Sequence, residues 1–223
     1  MNIQSFYSTV QKDKREKGGY YPEKIKYILS SIGTGKRVLD VGCNDGYIGG
    51  LILQNHNDVY GVDIVKDNLK EATKKGIKAI FFDITKRNFP YESNLFDVVL
   101  LGDVIEHVFD TDMILKNCYN ILKPSGFLLL TTPNVASLGR RLMLLFGISP
   151  FLEYSPNHST NNLPSVGHIR YYTKNILYRQ LKMNNYKTIE IIGDKINFGI
   201  TSNFMIARYI PQLAVNLMCK AYK

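Results

Sequence analysis

From Arg37 onward the chain alternates short apolar runs with longer amphipathic stretches. RVLDVG (37–42) is a Val/Leu-rich run that ends in glycine, as a buried strand does. GYIGGLILQNH (46–56) then reads as a helix, DVYGVDI (58–64) as a strand, and KDNLKEATKK (66–75) as a polar helix closed by Gly76. IKAIFFDI (77–84) predicts a third strand. The loop TKRNFPYESNLF (85–96), which holds Pro90, leads to a fourth strand in DVVLLGDV (97–104). TDMILKNCYNILK (111–123) spaces its apolar residues near i, i+3, i+4 and is ended by Lys-Pro-Ser-Gly, and GFLLLTTPN (126–134) predicts a fifth strand. Strands this rich in Val, Ile and Leu, alternating with helices, imply a parallel sheet covered on both faces. Right-handed crossovers place the loops that follow these strands along one edge, where ligands bind.

After Pro133 the pattern changes. NVASLGRRLMLLFG (134–147) reads as an amphipathic helix with Arg140 and Arg141 on its polar side. A long loop with three prolines, ISPFLEYSPNHSTNNLPSVGHIRYY (148–172), is of functional rather than connecting length. TKNILYRQLKMNN (173–185) predicts a helix with Thr173 as N-cap, and YKTIEIIG (186–193) a strand. NFMIARYIPQLAVNLMCKAYK (203–223) reads as a short helix, a proline break and a last strand. The expected division is a helical cap over residues 1–36 and one α/β domain over 37–223, with an acceptor-side insertion at about 134–172.

The 223 residues fit one such domain with a small elaboration. No apolar run approaches the roughly 18 residues of a membrane span. The first 21 residues hold no hydrophobic signal core, so the expected location is the cytoplasm. Cys43, Cys118 and Cys219 are far apart and suggest neither a disulfide framework nor a zinc knuckle. The net charge of +9 is unevenly spread: residues 37–134 carry 10 basic and 13 acidic side chains, residues 135–223 carry 11 and 3. The basic C-terminal segment suits an anionic acceptor, an anionic membrane surface or RNA, or simply keeps the chain in solution.

The loop VLDVGCNDGYIG (38–49) carries the chemistry. A dinucleotide site needs G-x-G-x-x-G, and a Walker-type site needs a lysine after its last glycine. This loop has neither. Asp40 and Asp45 would repel a phosphate and favour a ligand with positive charge. S-adenosylmethionine, with a sulfonium and an ammonium, meets that demand. Asp63 ends the second strand about 20 residues on, where an acid accepts hydrogen bonds from ribose hydroxyls. Asp83, in FFDI, can accept from an adenine amino group, with Phe82 and Ile84 flanking the ring. Asp103 ends the fourth strand in the same manner.

With these residues the chain resembles class I S-adenosylmethionine-dependent methyltransferases over roughly residues 20–223, in their type-11/type-12, quinone-methyltransferase-like branch. VLDVGCNDG resembles the first motif, GVDI the ribose-binding acid, FFDI the adenine segment, FDVVLLGDVIEHV the fourth motif and LKPSGFLLLTTPN the fifth strand. GHIRYYTKNILYRQLKMNNY resembles the segment that follows, with Asn185 where the branch has glycine; Asn44 likewise replaces a commoner residue of the first loop. The resemblance implies a Rossmann-like, doubly wound, seven-stranded, mostly parallel sheet with an antiparallel C-terminal hairpin built from YKTIEIIG and LAVNLMCKAYK. It implies that Gly42, Cys43, Asn44 and Gly46 hold the methionine moiety, that Asp40 orients its ammonium, and that Asp63 with Ile64, Asp83 with Ile84, and Asp103 complete the cofactor site. Tyr20 or Tyr21 would close over it.

Glu106-His107 admits three readings: a structural pair at the strand end, His107 as general base for an acceptor hydroxyl, or a divalent-metal site. The metal reading would use Asp103, Glu106 and His107, with His158 or His168 added. The reading carried forward assigns no metal. His168 and Arg170 either pack the loop onto the sheet or wall the acceptor pocket. Arg140 and Arg141 beside LMLLFGI are either a solvated face or a membrane contact. Cys43 is a packing residue, because no neighbouring base or cation activates it. The expected activity is methyl transfer to a small-molecule or lipid-linked acceptor, O-methylation favoured, with S-adenosylhomocysteine as product. The alternatives are an RNA-modifying enzyme and a non-catalytic cofactor-binding partner subunit; for RNA, the fourth motif lacks the set used by base-amino enzymes, which leaves a ribose methyltransferase.

Overall fold

The core strands are apolar on both faces because helices cover both. In the computed structural model, β1 (Arg37–Val41) lies between β2 (Asp58–Asp63) and β4 (Phe96–Gly102), parallel to each. With β3 (Lys78–Phe81), β5 (Leu122–Pro133), β8 (Lys187–Gly193) and β11 (Asn216–Tyr222), they form one seven-stranded sheet of order β3-β2-β1-β4-β5-β11-β8. Only β11 runs antiparallel, pairing with β5 on one side and β8 on the other. The structure describes residues 22–85, 88–151, 153–155, 158–159, 167–198 and 201–223. Tyr20 and Tyr21 lie outside them, as does the side chain of His158.

One face packs Val38, Val59, Val98, Leu100 and Leu129 against α1 (Pro22–Ile32), α2 (Tyr47–Gln54) and α3 (Lys66–Lys74), through Ile28, Ile32, Ile52 and Ala72. The other packs Leu39, Val41, Val99, Leu101, Leu128 and Leu130 against α4 (Thr111–Ile121) and α6 (Lys174–Met183), through Ile114, Leu115, Leu177 and Leu181. The sheet is doubly wound as the pattern predicts. Strand order reverses between β1 and β4, which opens a crevice at their carboxyl ends.

Three boundaries differ most from the sequence reading. β3 stops at Phe81, because the backbone turns after the Phe82 N–H bonds Asp63 O and Asp83 begins a turn of its own. β5 begins at Leu122, since Leu122 pairs with Phe96 and the Lys-Pro-Ser-Gly segment is carried as an irregularity within the strand. α5 (Leu138–Leu145) starts four residues late. Asn134 holds the preceding turn, donating to the carbonyls of Pro211, Gln212 and Ala214 and accepting from Ala136 N. Two small hairpins were not foreseen: β6 (Glu153–Ser155) with β7 (His158–Ser159), and β9 (Ile196–Phe198) with β10 (Thr201–Asn203). Thr173 does cap α6, accepting from Ile176 N, and α7 (Phe204–Tyr209) precedes the proline break and β11.

Gly46 makes the sharp turn into α2. Its φ is +74°, and an added Cβ would lie 2.5 Å from Ile77 Cδ1 and 2.9 Å from Ala72 Cα. Gly46→Ala therefore combines left-handed backbone strain with overpacking against another helix's backbone, and is expected to cost about 2–4 kcal/mol. Urea unfolding with an unchanged slope would measure it.

Candidate functional site

The loop after β1 is tied to β2 by backbone bonds: the N–H groups of Gly42 and Cys43 both reach Val62 O, at 2.8 and 3.1 Å. Gly42, Asn44 and Gly46 all have positive φ, at 73°, 52° and 74°. The Cβ that Gly42 lacks would lie 2.8 Å from a Val104 methyl, so the loop is pressed onto the segment after β4. Cys43 is buried with its sulfur against Gly61, and burial pushes its thiol well up; it packs, and offers a ligand only backbone. Asn44 keeps a buried side-chain oxygen with no hydrogen-bond partner among the described residues.

Two buried carboxylates face this loop. Asp63 is held by backbone: Oδ2 accepts from Asn44 N at 2.9 Å and Oδ1 from Val65 N at 2.8 Å. Burial raises its pKa and these bonds oppose the rise. Asp40, one strand over, has no cation paired with it among the described residues; burial, with the Asp63 charge added, pushes it up to about 7. Asp45 stands apart, with Lys75 donating to its backbone carbonyl at 2.7 Å and 3.5 Å from its carboxylate. The acidity of the site is thus that of Asp40 and Asp63. Two adjoining buried acids without a cation, beside an orphaned amide oxygen, fit a cationic ligand and disfavour a phosphate. Ile64, half-buried, follows Asp63 at the same edge.

Past β3, Phe82 and Ile84 are half-buried, and Phe82 packs on Phe89 with ring centroids 5.6 Å apart. Asp83 spends Oδ1 on the N–H and hydroxyl of Thr85, at 3.0 and 2.7 Å, which fixes its direction.

Asp103, just past β4, has φ +56° and is bound by Lys24 Nζ of α1 at 2.6 Å and by the Thr131 hydroxyl at 2.9 Å. Lys24 is itself buried; burial works against its charge, but Asp103 holds its pKa above the ordinary value. Asp103 therefore anchors α1 to the carboxyl edge of the sheet.

The turn after Asp103 carries Glu106 and His107. Glu106 is buried; Oε2 accepts from the Thr132 hydroxyl at 3.1 Å, while Oε1 has no hydrogen-bond partner among the described residues and lies 4.0 Å from His168 Nε2. Burial, with Asp103 nearby, raises its pKa well above the carboxylate range. The segment bearing His168 is sewn to this turn: Ile169 and Arg170 N–H both bond Glu106 O, and His107 Nδ1 lies 3.2 Å from Gly167 O. A carbonyl only accepts, so that bond puts a proton on Nδ1, and in the neutral ring the lone pair is then on Nε2. The His107 and His168 rings are 4.9 Å apart. Donor atoms of Glu106, His107 and His168 all lie within 4.8 Å of one another, a set able to hold a divalent ion. The structure thus joins His168, and not Asp103, to the Glu106-His107 pair. Arg170 is drawn away: it is exposed, donates to Phe109 O at 2.5 Å and stacks over the Phe109 ring. Lys24, Thr131 and Thr132 were missed in the sequence, since nothing local to them signals a partner across the fold.

A family model described as a methyltransferase domain matches residues 13–191. Among curated proteins, the ubiquinone biosynthesis O-methyltransferase of Bordetella avium is 30% identical over 121 residues, covering 51% of this chain and 50% of that protein. The mitochondrial enzyme of the same name from Mus musculus is 30% identical over 124 residues, covering 51% and 33%. The chain spans half or less of the length of these two relatives. Among solved structures, a SAM-dependent methyltransferase of Thermotoga maritima, described as a possible histamine N-methyltransferase, superposes with a TM-score of 0.71 at 15% identity over 99% of this chain and 98% of that one. A phosphoethanolamine N-methyltransferase of Haemonchus contortus, solved with S-adenosyl-L-methionine, has a TM-score of 0.61 at 18% identity over 91% and 52%.

Proposed function

This chain belongs to the methyltransferase-domain family, and from that premise we propose that it moves the methyl group of S-adenosylmethionine to a hydroxyl of a small-molecule or lipid-linked acceptor. The observation that carries the reading is the pair of buried acids, Asp40 and Asp63, beside the glycine loop, with no cation paired to them among the described residues. Asp63 would take the ribose hydroxyls and Asp40 the ammonium. Phe82, Asp83 and Ile84 would meet the adenine. S-adenosylmethionine would supply an electrophilic methyl carbon on sulfur, open to in-line attack by the acceptor oxygen with the thioether S-adenosylhomocysteine as leaving group. The chain contributes positioning and exclusion of water, worth about 7–11 kcal/mol when reacting atoms are well placed. His107 Nε2 would take the hydroxyl proton as the C–S bond breaks. The O-methyltransferase names of the curated relatives favour oxygen as the accepting atom.

Affinity for the cofactor should depend on pH through Asp40. In the free protein its carboxyl titrates near 7, and an ammonium beside it favours the ionised form, so binding releases a proton below that pH. Between about pH 5.5 and 7 the affinity should rise roughly tenfold, below the range where an α-amino group itself titrates. Asp40→Asn should flatten the curve. An equal pH dependence in wild type and Asp40→Asn would remove Asp40 from the role.

The reading is tested by following radiolabelled methyl from S-adenosylmethionine into fractionated cell extract. Label in the organic-soluble fraction is the expected result. Label in RNA would replace it with an RNA methyltransferase. Bound cofactor without any transfer would make the chain a cofactor-binding subunit.

A further inference from the structure

Helix α5 is amphipathic in sequence, yet none of its residues is buried. Leu145 and Phe146 are 74% and 76% exposed, and Leu144 is exposed beside them. In α7 only Ala207 is buried, while Met205 and Tyr209 are 77% and 87% exposed. The two helices are neighbours. Both pack against β9, Leu138 and Ala207 share a small cluster with Ile196, Leu213 and Ala214, and Arg141 reaches Gln212 O at 3.4 Å. The pair is fixed to the carboxyl end of β5 through Asn134, so it adjoins the edge where the site lies.

The charge carried by the two stretches that hold these apolar side chains has one sign. Residues 135–151 and 195–214 carry Arg140, Arg141, Lys195 and Arg208 and no aspartate or glutamate. Of the acids outside them, Asp194 is buried and turned onto Asn216, Glu153 lies two residues past the first stretch, and Glu190 is exposed on β8, against which α7 packs. A face of exposed Leu, Phe, Met and Tyr rimmed by arginine has the composition of an interfacial surface, in which apolar residues enter the headgroup boundary and cations meet lipid phosphates. A two-fold contact with a second copy would set these arginines against themselves, with no acid in either segment to pair them.

We propose that the α5/α7 face docks this protein onto a bilayer of anionic phospholipid, holding the acceptor edge of the site at the membrane surface. The proposal names a surface for the lipid-linked acceptor suggested above, and its test reads lipid binding alone, apart from methyl transfer. The full chain would be sedimented with vesicles of phosphatidylglycerol and phosphatidylcholine, and with vesicles of phosphatidylcholine only. Binding to the first, weak binding to the second and loss at high salt are expected. Leu145→Asp with Met205→Asp should lower the bound fraction about tenfold, and Arg208→Gln with Lys195→Gln should remove much of the salt sensitivity. Unfolding temperature and S-adenosylhomocysteine affinity, unchanged in both, would show the variants folded. Equal binding to both vesicle types, no binding by folded wild type, or wild-type binding by the Leu145→Asp/Met205→Asp variant would overturn the proposal. So would a concentration-dependent dimer that fails to bind vesicles and that the same variant dissociates.

Discussion

Asp63→Ala should weaken S-adenosylhomocysteine binding about 100-fold or more while the protein stays folded. The carboxylate is placed by two backbone N–H groups, of Asn44 and Val65, so its direction is set before any ligand arrives. A hydrogen bond to a charged group is worth about 1.5–3 kcal/mol, and a ribose offers two hydroxyls to one carboxylate. Asp63→Asn should not rescue the loss. One end of the amide would be an NH2 group facing a backbone N–H, leaving donor against donor in a buried place. A second reading comes from Asp40. Removing the Asp63 charge takes away a cause of its raised pKa, so in Asp63→Ala the pH dependence of the remaining binding should shift to lower pH. Calorimetric titration across pH gives both numbers. Unchanged affinity in a folded Asp63→Ala would end the ribose assignment.

Asp63 could be found in the sequence because its signal is local: a strand, a glycine loop, and a second strand closing on an acid. The same holds for Asp40, which sits in β1 opposite Gly61. Even the departures from the family pattern have local causes. Asn44 and Asn185, which stand for commoner residues, have φ of 52° and 67°, a region that Asn tolerates better than most side chains. The opposite case is Lys24. In PEKIKYILSSI it reads as one polar position of an amphipathic helix, and its partner Asp103 lies 79 residues away. The bond between the Glu106 carbonyl and the His168 segment is equally non-local, so the sequence allowed Asp103, His158 or His168 beside Glu106-His107 and could not choose. Periodicity is silent on one point at α5. It tells which face of a helix is apolar, not what covers it, and in this fold that face lies open.

His107→Gln should lower turnover by about 10²–10⁴-fold, the usual contribution of a positioned base, and leave S-adenosylhomocysteine affinity unchanged. The bond from Nδ1 to Gly167 O orients the ring, and in the neutral ring so bonded Nε2 is the basic nitrogen. Gln has no lone pair of comparable basicity. The cluster with Glu106 and His168 makes the same loss expected if a divalent ion orients the acceptor oxygen instead, and two further measurements separate these routes. If His107 acts as base, wild type keeps its turnover after treatment with chelator, and Glu106→Gln, which keeps its bond to Thr132, is much milder than His107→Gln. If an ion is held there, chelator abolishes wild-type turnover, added magnesium or manganese restores it, and Glu106→Gln is as damaging as His107→Gln, because a neutral amide is a far poorer ligand than a carboxylate. Full turnover in His107→Gln would exclude both and leave Glu106-His107 as the structural pair that ties residues 167–170 to the end of β4.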